Sequence, residues 1–150
     1  EGPLPIRSLT VMVQKEAAVR ITAATGTREC GAISAAVWYY STPKLLFPVS
    51  RGSFMPAPAV DSAVIRLDLP RELPEDLPPR EDFFAVVRAG FGQRRKTMLN
   101  SLSAGLRWEK DATRALLTAA GIAENARAEQ VTLEQWKALT RAYFSMKKSR

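Results

Sequence analysis

Ten residues near the middle of the chain constrain its fold more than any other segment. The stretch from Pro70 to Pro79 contains four prolines and three acidic residues. Because proline lacks a backbone N–H and fixes φ, neither a helix nor a strand continues through such a segment. The sequence therefore predicts a linker at 70–79 that separates a first domain, 1–69, from a second, 80–150.

Residues 1–69 combine strand and helix patterns. The predicted elements are a strand over 9–14, a helix over 15–24 closed by Gly26, a helix over 31–40, and strands over 44–49 and 61–69. In the last strand, Ala63, Ile65 and Leu67 recur at the two-residue period of a half-buried strand. Three strands and two helices form only an incomplete α/β sheet, whose first strand would show an unpaired edge. We therefore expect a further segment to precede this one.

Residues 80–150 have helical periodicity. Helices are predicted over 81–90, 94–104, 110–120 and 132–145. Thr132 and Gln135 have the spacing of a capping box, and Gly121 followed by Ile122 is typical of a helix stop. Gly90-Phe91-Gly92 is interpreted as a helix break, because no strand precedes it as a phosphate-binding loop requires. The second half is thus predicted to be a small all-α domain.

Composition excludes several classes of function. The 150 residues include no histidine and one cysteine, Cys30. This rules out an imidazole base, a Ser-His-Asp triad, an internal disulfide and a Cys/His metal site, so no metal is expected. The longest apolar run, 32–40, is too short to span a bilayer, and residues 1–3 open no signal-peptide pattern. A cytoplasmic protein without membrane contact is expected.

The positive charge is concentrated after the linker. Fifteen of the 22 basic residues follow residue 70, and the segment 83–108 contains five basic residues and no acidic one. Such a patch of one sign attracts a phosphate backbone, which makes nucleic acid the leading partner. The alternative is a basic helix face that only confers solubility.

Two places are candidates for nucleic-acid contact. Arg94, Arg95 and Lys96 are predicted to open the helix over 94–104, where consecutive side chains fan out by about 100° and meet water or phosphate. Phe54 starts a segment with prolines at every second position, which predicts an extended, rigid backbone. An aromatic ring held in this way either stacks on a base or closes the core at the entrance of a strand.

Several motifs together resemble one family. They are Val13-Gln14-Lys15-Glu16, Tyr39-Tyr40, the alternating-proline segment 54–64, Phe91-Gly92-Gln93-Arg94-Arg95-Lys96-Thr97, Asn100-Ser101-Leu102, Gly121-Ile122 and Arg127-Ala128-Glu129. Their order and spacing resemble the bacterial small-subunit (16S) rRNA adenine N6-dimethyltransferases, over nearly the whole chain from Leu9 onward. One departure is Cys30-Gly31-Ala32-Ile33-Ser34, where the family usually has Tyr-Gly-x-Leu-Ser.

The resemblance implies a Rossmann-like, S-adenosylmethionine-dependent methyltransferase followed by a helical domain that docks on the small ribosomal subunit. This chain would supply the last strands of the sheet and the helical domain. The family's glycine-rich cofactor loop and Asn-Leu-Pro-Tyr motif are not found in it, and Pro3-Leu4-Pro5-Ile6 is no substitute. S-adenosylmethionine is therefore expected to bind the full-length enzyme and not this chain, which alone should be inactive.

The resemblance also assigns roles to the two candidates. Phe54 would form the second aromatic wall of the target-base pocket, and Arg94, Arg95 and Lys96 would bind rRNA phosphates. The alternative is a stand-alone RNA-binding or ribosome-assembly factor without catalysis. A DNA-binding protein fits less well, because no helix carries a recognisable pattern of base-reading side chains.

Overall fold

The computed structural model describes residues 5–150. The expectation that residues 1–3 open no signal-peptide pattern concerns positions outside this part of the chain. The first half contains β1 (Ser8–Gln14), α1 (Lys15–Thr22), α2 (Ala32–Tyr40), β2 (Thr42–Val49) and β3 (Ser62–Asp68). The second half contains α3 (Arg80–Phe91), α4 (Met98–Leu106), α5 (Lys110–Ala119) and α6 (Leu133–Lys148). Two short 3-10 turns lie at Arg51–Ser53 and Ala128–Gln130.

The three strands form an antiparallel sheet in the order β1-β3-β2. As the sequence indicates, β1 is an edge of the described sheet, with β3 along only one of its sides. β2 forms the other edge and contains Pro43 and Pro48, which an edge strand tolerates because one row of its N–H groups needs no partner in the sheet. Its pairing with β3 is irregular between Leu45 and Phe47.

One face of the sheet is covered by α1. Ala18 of α1 is completely buried against Ala63 and Ile65 of β3, which confirms the two-residue period predicted for this strand. On the opposite face Met12 and Phe47 both lie beside Val64 in the register, and both are about half exposed. The sheet therefore presents an apolar row on the face that α1 does not cover.

The main core lies among the helices of the second half. It is centred on Trp136, Phe83 and Leu102, which are completely buried, and it extends to Ala35 and Tyr39 of α2. The Tyr39 hydroxyl donates a hydrogen bond of 2.9 Å to the carbonyl of Pro78. The second half thus packs directly against α2 of the first.

The segment 70–79 contains no helix or strand, as its prolines predict. It is nevertheless held against the helices, since Arg141 donates to the carbonyl of Asp76 at 2.9 Å and Pro78 is buried. The division of the chain into two domains at this segment stays a prediction.

Some helix ends agree with the sequence and others do not. The capping box at Thr132 and Gln135 is present, and α5 is followed by Gly121 at φ +67°, with the Ile122 amide bonded to the carbonyl of Leu117. In contrast, α1 ends at Thr22 rather than at residue 24, and Gly26 belongs to the next turn.

The break predicted at Gly90-Phe91-Gly92 is confirmed, since α3 ends at Phe91 with Gly92 as its C-cap, and the last turn of the helix contains Gly90. A Cβ at this position would lie only 2.6 Å from the Trp136 ring. The glycine is therefore required for the close packing of α3 against α6, and the helix ends one residue later.

Candidate nucleic-acid interface

The basic run Arg94-Arg95-Lys96 lies in a loop between α3 and α4, and its predicted position in a helix over 94–104 is wrong. Helix α4 begins at Met98 because Thr97, at φ −69° and ψ 158°, accepts a hydrogen bond from the Asn100 amide. Threonine at this position is a common N-cap, and its extended backbone stops the helix from starting earlier. The three cations precede the cap and are all exposed.

Short-range hydrogen bonds hold this loop in a defined shape. The Lys96 amide donates to the carbonyl of Gln93 at 2.9 Å, and the Ser101 hydroxyl donates to the same carbonyl at 3.1 Å. The Met98 amide reaches the carbonyl of Ala126 at 2.7 Å, which ties the start of α4 to the segment before the second 3-10 turn. The basic side chains therefore project from an ordered turn.

The structure distinguishes the three cations. The Arg94 guanidinium lies 3.7 Å from a carboxylate oxygen of Glu129 and donates to the carbonyl of Arg28 at 3.4 Å. Among the residues that the structure describes, Arg95 and Lys96 form no ion pair. Arg94 thus links the loop to both halves of the molecule, while Arg95 and Lys96 are available to an external anion.

Further cations surround Arg94. A shallow groove of about 240 Å³ is lined by Arg94, by Arg20 of α1 and by Arg28 of the loop before α2, together with Glu16 and Glu29. Arg20 is paired with Glu16 at 3.3 Å. Glu16 therefore offsets part of the positive charge in this groove, whereas the charges of Arg95 and Lys96 on the turn are not offset by an ion pair in the described part of the chain.

Phe54 lies in the loop between β2 and β3, directly after the 3-10 turn Arg51–Ser53. Its side chain is half-buried and belongs to neither of the two clusters of buried apolar side chains among the described residues. The prediction of one continuous extended segment after it is wrong, since the backbone bends at 54–56 and 59–60.

An ion pair that the sequence analysis missed closes this loop. Asp61 accepts hydrogen bonds from the Arg51 amide at 2.9 Å and from the Arg51 guanidinium at 3.1 Å, and Arg51 also donates to the carbonyl of Ala59 at 2.6 Å. The Arg51 amide, followed by its side chain, lowers the pKa of the Asp61 carboxyl. The sequence signal for this ion pair was an acidic residue at the end of the proline segment, ten positions after an arginine.

The same aspartate connects the Phe54 loop to α1. The Lys15 amide, at the start of α1, donates to the Asp61 carbonyl at 2.9 Å. The Phe54 loop therefore adjoins the first residue of α1, while Glu16 and Arg20 of that helix line the groove at Arg94. Both candidates from the sequence are placed along α1, although no direct contact joins them in the described residues.

Cys30 lies in the loop that leads into α2. It is completely buried, and burial raises the pKa of its thiol. A buried thiol with a raised pKa is a poor nucleophile. Among residues 5–150 no group of three or more Cys, Asp or Glu side chains is arranged to hold a metal ion, and no helix there is long and apolar enough to cross a membrane.

The described residues do not fit a site for S-adenosylmethionine. Rossmann-type cofactor sites use a glycine-rich loop between a strand and the following helix. Here β1 passes directly into α1 at Gln14–Lys15, without a loop and without a glycine.

Comparison with solved structures places this fold in a known class. A dimethyladenosine transferase from Plasmodium falciparum superimposes with a TM-score of 0.71 at 20% identity, over 93% of this chain and 57% of that one. The 23S rRNA methyltransferase ErmE gives a TM-score of 0.61 at 26% identity, over 91% of this chain and 54% of that one. The fold is therefore that of part of an rRNA methyltransferase.

Sequence comparison identifies the family. The profile described as "Ribosomal RNA adenine dimethylase" matches residues 1–144, and the chain belongs to this family. It is 48% identical to the Ribosomal RNA small subunit methyltransferase A of Alkaliphilus oremlandii, over 93% of this chain and 49% of that protein. The protein of the same name from Alkaliphilus metalliredigens is 46% identical, over 94% and 50%. The resemblance stated from the sequence is confirmed, and the chain spans about half the length of these curated relatives.

Proposed function

We propose that this chain is the C-terminal half of an S-adenosylmethionine-dependent enzyme that dimethylates N6 of adenines in small-subunit rRNA. In this proposal residues 1–69 are the last strands of a Rossmann-like sheet, 70–79 is the linker, and 80–150 docks on the rRNA. The half of the enzyme outside this chain supplies the cofactor loop and the Asn-Leu-Pro-Tyr motif. The incomplete sheet, with β1 at an edge and an apolar row on one face, supports this arrangement.

The observation that carries the docking role is the ordered turn with Arg95 and Lys96. Both side chains are exposed and have no ion-pair partner among the described residues, so binding a phosphate breaks no existing ion pair. Each phosphate contact releases condensed counterions and gives affinity without sequence preference. Arg94 contributes a further contact from the side that Glu129 does not occupy, and it holds the turn in place.

Phe54 has a different role in the proposal, because stacking acts on one base. The adenine amino group is a weak nucleophile, since its lone pair is delocalised into the ring, and the target base must leave the helix to be aligned for transfer. A half-buried ring in a loop closed by Arg51 and Asp61 offers a preorganised wall for the flipped base. Base–aromatic stacking is worth about 1–3 kcal/mol per base.

The docking role is tested by measuring binding of the chain to a small-subunit rRNA fragment across a salt titration. The double variant Arg95→Gln/Lys96→Gln should bind more weakly, and the slope of log K against log salt should become shallower by about two. The control Arg71→Gln/Lys110→Gln removes the same charge from the linker and from the start of α5. Equal slopes for the two variants would contradict a specific role for the turn.

The catalytic part of the proposal is tested separately. The 150-residue chain should transfer no label from S-adenosylmethionine to undermethylated small subunits, and label transfer by this chain alone would contradict the proposal. In the complete enzyme, Phe54→Ala should lower kcat/KM by about tenfold to a hundredfold, as expected for the loss of one stacked base. Its salt slope for rRNA binding should stay unchanged.

A further inference from the structure

A second surface lies between α2 of the first half and α3 of the second. It is a cleft of about 590 Å³ between α2 and α3. The two helices lie side by side in opposite directions, since Tyr39 near the end of α2 bonds to Pro78 before α3, and Arg94 after α3 bonds to Arg28 before α2. The cleft is separate from the Phe54 loop and shares none of the residues that line it with the groove at Arg94.

The walls of the cleft are apolar, with space left by small side chains. Ala32, Ala36 and the half-exposed Ile33 line the α2 side, and Phe84 and the buried Val87 line the α3 side. A volume of this size is in the range of about 300–1,000 Å³ that holds small ligands. Phe84, Ile33 and the two alanines thus line an apolar slot that is open to solvent and that a flat, apolar group can enter.

The rim of the cleft is mainly cationic. Arg80 and Arg88 both belong to the lining, and neither forms an ion pair among the described residues. They are eight residues apart on α3, which places them about 12 Å from one another along the helix axis. Glu81 is the one carboxylate in the lining, so the two arginines dominate the charge.

Charge complementarity selects the occupant. A flat apolar group flanked by anions is an unstacked nucleotide, whose base enters the slot while the phosphates on its two sides meet Arg80 and Arg88. Single-stranded RNA is bound in this way, by stacking of splayed bases and by arginines along the backbone. Arg88 also opens the acid-free run that leads along α3 to Arg95 and Lys96, so one strand would contact both places.

We propose that the α2–α3 cleft holds an unpaired nucleotide of the bound RNA, with its base between Ala36 and Phe84 and its phosphates at Arg80 and Arg88. The inference rests on the proposed function, because it assumes that the chain binds RNA. It adds a preference for RNA with an unpaired segment, which the phosphate contacts of the basic turn do not provide.

The test compares a single-stranded adenine-rich RNA decamer with the same strand in a blunt duplex. Ala36→Leu fills the slot without changing charge, and it should weaken binding of the single strand by about tenfold, the loss expected for one stacked base, with duplex binding unchanged. Arg88→Gln should weaken single-strand binding more than Arg107→Gln, which removes a charge from the same acid-free run outside the cleft. Circular dichroism checks that each variant is folded.

The outcomes separate this inference from the proposed function. If Ala36→Leu binds the single strand as tightly as the unchanged chain, or weakens both RNAs equally, the cleft holds no base and the inference is overturned. If Arg95→Gln/Lys96→Gln leaves both affinities unchanged, the docking role of the turn fails instead. If the unchanged chain does not bind the single strand, the cleft assignment is likewise overturned.

Discussion

The helical half and the sheet half differ in how much apolar surface each buries by itself. Within residues 5–150, eighteen buried residues form the main core, and all but Ala35 and Tyr39 belong to residues 80–150. The cluster between α1 and the sheet has three, which are Ala18, Ala63 and Ile65. A chain segment is stable when the burial of apolar surface outweighs its loss of conformational entropy. The helical half meets this condition largely by itself, whereas the sheet half depends on further contacts.

This difference agrees with the proposed division of labour. A docking module that is already ordered loses less conformational entropy when it binds RNA, and the core of the second half provides that order. The sheet half instead leaves Met12 and Phe47 about half exposed beside Val64. Apolar residues in register on a strand face usually lie against another layer of structure. The half of the enzyme outside this chain would supply that layer.

The largest effect is expected from removing the centre of the main core. Trp136 is completely buried, and Phe91 stacks on its ring at 5.4 Å between centroids. Trp136→Ala should lower the free energy of unfolding by about 3–5 kcal/mol, measured by urea denaturation. Phe47→Ala is the control in the sheet half and should change it by no more than about 0.5 kcal/mol, since that ring is half exposed. Equal losses of unfolding free energy in the two variants would contradict the conclusion that the helical half holds the larger core.

A smaller loss is expected where two helices of the main core approach most closely. A Cβ on Gly105 of α4 would lie 2.6 Å from the Cβ and 2.7 Å from the Cα of Ala89 in α3. Gly105→Ala should therefore cost about 1–3 kcal/mol through overpacking, which exceeds the gain of about 1 kcal/mol in helix propensity.

Gly52→Ala in the sheet half is the matched control for Gly105→Ala. A Cβ on Gly52 would meet only the Ser50 hydroxyl oxygen, at an ordinary 3.6 Å. Thermal denaturation of both variants gives the comparison. A stabilising Gly105→Ala would show that α3 and α4 separate easily.

The order and type of the elements were predictable from the sequence because local signals determine them. The prolines of 70–79 exclude regular structure, and the Thr132/Gln135 box and the Gly121-Ile122 stop mark helix ends through hydrogen bonds between near neighbours. The basic turn was placed wrongly in a helix because Thr97 is a stronger local signal than the charges before it. Threonine next to a basic run could have been recognised as the cap.

Long-range contacts explain what the sequence did not indicate. The break at Gly90-Phe91-Gly92 was predictable, but the need for a glycine at position 90 comes from the ring of Trp136, 46 positions later. Arg51 and Asp61 close the Phe54 loop across ten residues, and Arg94 reaches Arg28 and Glu129 in opposite directions along the chain. Local patterns predict that a residue is basic and exposed, but its partner depends on the tertiary fold.

Acid should affect the loop that carries Phe54. The Arg51 amide and side chain lower the pKa of Asp61, so the stabilisation from this carboxylate is present above the usual aspartate pKa and is lost as pH falls through the lowered value. We expect hydrogen exchange of the Arg51 amide, measured by NMR and divided by its intrinsic rate, to be faster below about pH 4 than at neutral pH. Asp61→Asn should show fast exchange already at neutral pH. A loop unaffected by the variant would contradict the role of the ion pair.

Alkali should affect a contact of the helical half. Lys147 near the end of α6 lies 2.6 Å from the buried Asp82 of α3, and this hydrogen bond raises the pKa of the lysine. Because the lysine pKa is higher in the folded state, the charged lysine stabilises the fold at pH values below the usual lysine pKa. This stabilisation is lost as the pH rises through the raised pKa. Between about pH 10 and 12 the melting temperature of the unchanged chain should therefore fall more steeply than that of Lys147→Met. Parallel curves would show that the pair adds no stability.

The smallest effect concerns how firmly the two halves are joined. Cys30 is completely buried, Glu129 of the second half is among the charges that raise the pKa of its thiol, and Arg94 bonds to Arg28 two residues before it. In the folded chain at pH 8, iodoacetamide should alkylate Cys30 more than about a hundredfold more slowly than in urea, because reaction requires local opening.

Arg94→Ala should speed this reaction several-fold without changing the helical circular dichroism, since it removes the contacts to Arg28 and Glu129. Arg95→Ala, which removes a neighbouring charge that has no ion pair in the described part, should leave the rate unchanged. If both variants react alike, Arg94 does not join the halves, and other contacts, such as those of α2 with the main core, hold them together.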